Sequence, residues 1–434
     1  MSRVWWILTL VLSIGLPAYG ATRTVPPSYV TDSTIYTEPS PPQLDAAGSK
    51  NIDRIFRKQV IRLTDSNDSA TDCVVPYSNI PLFNVDNTKV FALCTVGYQR
   101  FKVFDWDSTT NTASNGRIQA NPIAGYQDYQ AHWSRISPNK VYACTDRALY
   151  EVTIPSGSST TWTNTLVKDL SATIGGSASD YCEQISVSYN DDVFAMHYNV
   201  SGTKTGYLVY KRSTDTVLLN VNNEGTINEV EIDKSGRYLA SLKDSGQLHV
   251  WDLTGTPSRT TVTVNPFNHR GMGYGIVISD CLTRALCTRN LASPNTVTKI
   301  LPDESWSYAI QGDHLSMVGM TDAWMLSCRF GANNENVSKA YDNECVQVAT
   351  DGSQVVRRLL HHHSNIFSGD YDAQPKASLS MDGRYMAFTS NWEGLDVSAR
   401  NSVYIVGLSV NTQSAMGRTN ATTRSNAATR TNRN

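Results

Sequence analysis

An all-β, seven-bladed β-propeller of four-stranded blades, closed by an N-terminal strand, is predicted by three features of the 434-residue sequence. A unit of about fifty residues recurs along the chain, a period typical of propellers and solenoids. Each unit reads as strand, glycine turn, apolar strand, polar loop, strand, and no long segment of helical periodicity interrupts the series.

Residues 1–20, MSRVWWILTLVLSIGLPAYG, place Arg3 before an apolar run from Val4 to Leu16, followed by small residues at Ala18 and Gly20. This is the pattern of a cleaved secretory signal, and the run is short of the ~20 apolar residues that span a bilayer. A secreted or periplasmic protein with no membrane span is therefore expected. Residues 21–53 are rich in Pro, Ser and Thr and read as an extended arm. The propeller is expected over 54–410, beginning with RIFRKQVIRLTD from Arg54, a lone strand that completes the last blade and so removes an exposed sheet edge. Residues 411–434 form a polar low-complexity tail with too little apolar surface to fold.

The clearest units are INEVEIDKSGRYLASLKDSGQLHVWDLTG from Ile227 and PKASLSMDGRYMAFTSNWEGLDVSARNSVYIVGL from Pro375. Gly236 and Gly383 fall where the turn needs a positive φ, a conformation that glycine adopts at little cost. Weaker copies begin at Phe83, Trp133, Ile185, Ile276 and Val318, which brings the count to seven.

With 37 Lys and Arg against 39 Asp and Glu, the net charge is -2, so the basic field of a nucleic-acid binder is missing. Walker, HExxH, GxSxG and GxGxxG motifs are absent from the sequence. The eight cysteines all follow the signal, and an even set in an oxidising compartment suggests disulfides, with buried free thiols as the alternative. Cys328 and Cys345 are the pair expected to bond, because WMLSCRF and NECVQVA read as consecutive strands.

The segments SLSMDGRYMAFTSNW and EIDKSGRYLASL resemble TolB-type and WD-like propeller repeats, and the resemblance extends from Arg54 to Leu408. RKQVIRLTD and HHHSNIFSGDYDAQPKASLSMDGRYMAFTSN look more narrowly like the oligogalacturonate-lyase type of secreted propeller. That resemblance implies β-elimination of short uronate oligosaccharides, with manganese held by histidines and a glutamine in the central channel. Against the family's QxNHPHPSFTPD, this chain reads YDAQPKASLSMD, which puts Tyr371 at the glutamine position and Gln374 and Lys376 at the two histidine positions. His314 is the counterpart of the remaining histidine. A lysine is a cation at neutral pH and does not replace an imidazole ligand, so the motif is incomplete and no cofactor is predicted, with a divalent metal left open as the alternative.

In a propeller the residues preceding each innermost strand line the channel mouth, where loops of all blades converge. That rule selects Gln130 and His132, Glu183 and Gln184, Asn228 and Glu229, His269 and Arg270, Asp313 and His314, then Tyr371, Gln374 and Lys376. The triple His361-His362-His363 is expected in a solvated loop with one ring turned toward the channel, since neighbours on a strand face opposite ways and no nearby acid completes a metal site.

Three functions fit these residues. The first is recognition of a polysaccharide or other glycan at the channel mouth, with Arg270, Lys376, His314 and Tyr371 as the contacts for acidic sugars. The second is a metal-independent polysaccharide lyase for uronate glycans. In it Arg270 or Lys376 neutralises the carboxylate, and His269, His314 or Tyr371 moves the α proton and protonates the leaving oxygen. The third is an envelope-associated scaffold that docks a protein partner on a propeller face.

Overall fold

Residues of one face of each unit alternate with those of the other, so each unit folds as an antiparallel meander and packs its apolar faces against the next. The computed structural model describes residues 29–408 apart from 44, 70, 97, 124–130, 146, 176–180, 201–202, 244, 264–268, 282–284, 302–310, 332–338, 367–370 and 395–399. The expected signal, Gln130 and the polar tail lie outside the described residues.

Seven antiparallel sheets form a ring. Blade 1 holds strands Cys73–Val74, Lys89–Val96, Tyr98–Asp107 and Thr112–Ile118, and blade 2 holds Ala131–Trp133, Lys140–Thr145, Ala148–Thr153 and Thr163–Asp169. Blade 3 is Tyr181–Val187, Val193–Val200, Thr203–Lys211 and Thr216–Val221, and blade 4 is Ile227–Ile232, Tyr238–Lys243, Gln247–Asp252 and Ser258–Thr263. Blade 5 is Arg270–Met272, Ile276–Cys281, Ala285–Asn290 and Val297–Leu301, and blade 6 is Gln311–Ser316, Trp324–Gly331, Glu344–Ala349 and Val356–His361. Blade 7 runs Ser378–Leu379, Tyr385–Ser390 and Ser402–Gly407 before taking Gln59–Arg62 from the N-terminal side of the chain. Among the described residues the only α-helix is the single turn Ser171–Ile174, and no helix is long and apolar enough to cross a membrane.

Ring closure is made by Val60, Ile61 and Arg62 opposite Val406, Ile405 and Tyr404. A further strand, Lys50–Ile52, pairs with Gln59–Arg62 and gives blade 7 a fifth strand that three residues of mixed character do not announce in sequence. The preceding arm is extended and lies on the ring, where Val30 bridges Arg358 and the Trp392 indole donates to the Pro42 carbonyl at 2.8 Å.

The turn motif has a local cause. In DKSGRY, one Asp233 carboxylate oxygen accepts the backbone N–H groups of Arg237 and Tyr238, each at 2.8 Å, and Gly236 takes φ 77° between them. A Cβ on Gly236 would stand 2.9 Å from a Val193 methyl of the neighbouring blade, so packing as well as φ demands glycine. Gly383 takes φ 72° in the matching turn of blade 7.

All eight cysteines pair. Cys73–Cys94, Cys281–Cys287 and the expected Cys328–Cys345 bond within blades, and Cys144–Cys182 ties blade 2 to blade 3. Four disulfides fit an oxidising compartment.

The histidine triple departs from expectation. His361, His362 and His363 are 1%, 0% and 4% exposed, at the end of the outermost strand of blade 6, and not in a solvated loop facing the channel. The arm covers them: Asp53 accepts the backbone N–H of His361 at 2.9 Å, and Glu38 accepts that of His363 at 3.1 Å.

Candidate functional site

The innermost strands of the seven blades surround the axis, and contacts between blades that are not neighbours mark the channel. Blade 1 makes one such reach. Its first strand pairs only at Cys73 and Val74, leaves the sheet, and rejoins where the Leu82 carbonyl accepts the Phe91 N–H at 3.1 Å. Pro76 and Pro81 flank the excursion and have no N–H to give a ladder, so the chain between them is free to bulge. The bulge carries Tyr77 across the axis to blade 5, where its hydroxyl lies 2.8 Å from His269 Nδ1.

Around that contact the groups close up. The rings of His269 and His314 lie 4.1 Å apart between centroids, and Tyr77 stands edge-on to His314 at 5.3 Å. His314 Nε2 donates to Gln374 Oε1 at 2.8 Å, so its Nδ1 keeps a lone pair and has no partner among the described residues. Burial holds His314 well below the ordinary imidazole value, and His269 and Lys376 push the same way, so the ring is neutral at physiological pH. Burial, followed by the charge of Glu229, raises the Tyr77 phenol well above its usual value and keeps it protonated.

Both cations of the site are matched by acids. Arg270, 3% exposed, holds Glu229 at 3.5 Å and Glu231 at 3.4 Å. Burial pushes the Glu231 carboxyl up to about 7, with Arg270 opposing the rise and Glu229 adding to it. Lys376 is fully buried, 3.5 Å from Asp372, with its ammonium 3.6 Å from the centre of the Tyr371 ring. Tyr371 itself is 45% exposed, an aromatic surface at the rim.

The opposite end of the channel is blocked by contacts that also cross the axis. Arg135 of blade 2 donates to the Val318 carbonyl of blade 6 at 3.3 Å, and Tyr189 of blade 3 donates to the Met381 carbonyl of blade 7 at 3.4 Å. Lys234 of blade 4 reaches Asp322 of blade 6 at 2.7 Å. The Tyr371 ring stands exposed at the other end of the channel.

His269, Arg270, His314, Tyr371, Gln374, Lys376 and Glu229 come together as one cluster. His132 stands apart: it is buried, 3.3 Å from Arg135, on the side of the blocked end. Glu183 and Asp313 occupy the first strands of blades 3 and 6, with side chains outside the described set, as is all of Gln130. Gln184 and Asn228 fall at register shifts of their strands, where a bulge re-aims side chains. Tyr77 and Glu231 were missed, although the paired prolines of VVPYSNIPLF were a readable sign of an interrupted strand.

No protein-family model and no curated protein matches the chain. Among solved structures it is similar to an oligogalacturonate lyase in complex with manganese, at 15% identity and TM-score 0.58, covering 85% of this chain and 98% of that one. It is also similar to the oligogalacturonate lyase of Vibrio parahaemolyticus, at 11% identity and TM-score 0.55, covering 83% and 96%. The chain shares the seven-bladed propeller fold of these enzymes. The described residues of its channel do not fit the manganese of the first. Among the described residues no three His, Cys, Asp or Glu ligand atoms converge there, and the Lys376 ammonium adds a positive charge beside His314.

Proposed function

We propose that the chain is a secreted or periplasmic propeller that recognises a polysaccharide or other glycan at the open end of its channel. The observation that carries this reading is the convergence of Tyr77, His269, His314 and Gln374 from four blades, with the exposed Tyr371 ring beside them. An aromatic rim offers a stacking face for a sugar ring, and imidazole, amide and phenol groups offer donors and acceptors for hydroxyls. Because Arg270 and Lys376 are already matched by Glu229, Glu231 and Asp372, the arrangement suits neutral sugars better than a polyuronate. The four disulfides support the compartment.

The Tyr77–His269 pair supports a second reading, a metal-independent lyase for uronate glycans. His269 would take the proton α to the carboxylate and the Tyr77 hydroxyl would protonate the leaving oxygen. The engagement of Arg270 with two glutamates counts against it, since charge neutralisation at the carboxylate is the step that needs a cation. The exposed Ile136, Tyr274 and Met320 on the blocked side are where a docked protein partner would sit.

Absorbance at 235 nm during incubation with uronate polymers, run beside a glycan array, separates the first two. Array binding with no absorbance rise is expected, and a rise that disappears in Tyr77→Phe would replace recognition with elimination.

A further inference from the structure

We infer that Glu38, His363 and Glu393 form a binding site for a divalent cation of the zinc class, away from the channel, that fastens the N-terminal arm to the last two blades. The three residues come from distant segments. Glu38 lies on the arm, His363 follows the outermost strand of blade 6, and Glu393 lies in the turn Trp392–Gly394 after the second strand of blade 7. His363 Nδ1 is 3.0 Å from Glu38 Oε1 and 3.1 Å from Glu393 Oε1, and the three ligand atoms lie within 4.8 Å of one another. Tetrahedral zinc with bonds of about 2.0–2.1 Å separates its ligand atoms by roughly 3.3 Å, so little movement is needed to admit it.

The charges argue for an ion. A single imidazole nitrogen carries one proton or one lone pair, and one proton does not satisfy two carboxylates aimed at it. The Glu38 side chain is 9% exposed and that of Glu393 30%, so two negative charges, one of them largely withdrawn from water, meet the single His363 ring. A dication with two carboxylates and a neutral imidazole balances.

Surrounding bonds hold the ligands. Glu38 also accepts the His363 backbone N–H at 3.1 Å and the Asn343 amide at 3.4 Å, while the His363 carbonyl accepts the Glu393 N–H at 2.6 Å and the Ser390 hydroxyl at 2.9 Å. His363, Trp392 and Glu393 take φ of 52°, 50° and 58°, an unfavourable conformation for each that sets the two ligands facing one another. A separate observation points the same way. His361 and His363 line one small cavity under the arm with their rings 6.4 Å apart, and the His361 Nε2 is buried with no hydrogen-bond partner among the described residues.

The test uses the full mature chain without an affinity tag, stripped with chelator and titrated with zinc by calorimetry. One zinc per chain and a higher Tm are expected, with affinity weaker by about ten-fold or more in Glu38→Gln and His363→Asn. Cobalt added to the wild-type protein should give the intense visible bands of a tetrahedral site, a readout that does not depend on any variant folding. No stoichiometric zinc, or zinc retained unchanged in folded Glu38→Gln and His363→Asn, overturns the site, as does cobalt with only the weak spectrum of the hydrated ion.

Discussion

Glu231→Gln should make the protein less sensitive to pH between 4.5 and about 7, the ordinary carboxyl value and the one to which burial lifts this group. In that window the unfolded chain carries an ionised Glu231 and the folded chain a protonated one, so the folded state binds more protons. Stability contributed by the group is fully present below pH 4.5 and is lost as pH rises through about 7. The side chain is almost fully buried, so solvent screening is slight, and the whole window corresponds to a ceiling of about 3 kcal/mol. Glutamine keeps the shape, leaves Arg270 paired with Glu229 and has no proton to lose. Urea unfolding at about pH 5 and about pH 8 measures it: the difference between variant and wild type, in which other titrating groups cancel, should move in favour of the variant at the higher pH. Parallel pH curves for the two proteins would refute the placement of a buried, raised carboxyl in the channel wall.

Ile61→Ala, in the strand that closes the ring, should lower stability by about 2–5 kcal/mol in urea unfolding, whereas a loss below about 1 kcal/mol would mean that closure is not held by this strand. Replacing Cys328 and Cys345 together with alanine should lower stability by about 2–5 kcal/mol with the fold retained, checked by circular dichroism and thermal unfolding. Tyr77→Phe, which removes the cross-channel hydrogen bond to His269, should lower stability by about 1 kcal/mol and weaken glycan binding measured by calorimetry.

What was legible in sequence was what repeats. Asp233, Gly236 and Tyr238 form one turn by local hydrogen bonds, so the motif carries its structure with it and can be counted along the chain. Ring closure was legible because an apolar strand stood alone ahead of the first unit. Within the channel, the rule of reading the residues ahead of each inner strand selected His269, which directly precedes Arg270–Met272, and Gln374, four residues ahead of Ser378–Leu379, while His314 lies inside Gln311–Ser316. It failed at blade 1, where the first readable unit began at Phe83 and Tyr77 lay ahead of it. The partners of Arg270 were also hidden, because which glutamate faces the axis depends on a register shift between Ile227 and Glu229. The histidine triple was misread for a different reason: its acids come from Asp53 and Glu38, some three hundred residues away, and nothing near the triple announces a covering arm.

The central claim, recognition of a glycan at the open channel mouth, is tested most directly by a glycan array probed with the wild-type chain and with Tyr371→Ala and His314→Ala, each first shown to be folded. The account predicts that the wild type binds at least one glycan class and that both variants lose most of that binding. Unchanged binding in both variants, or no binding by the wild type to any glycan, would contradict it.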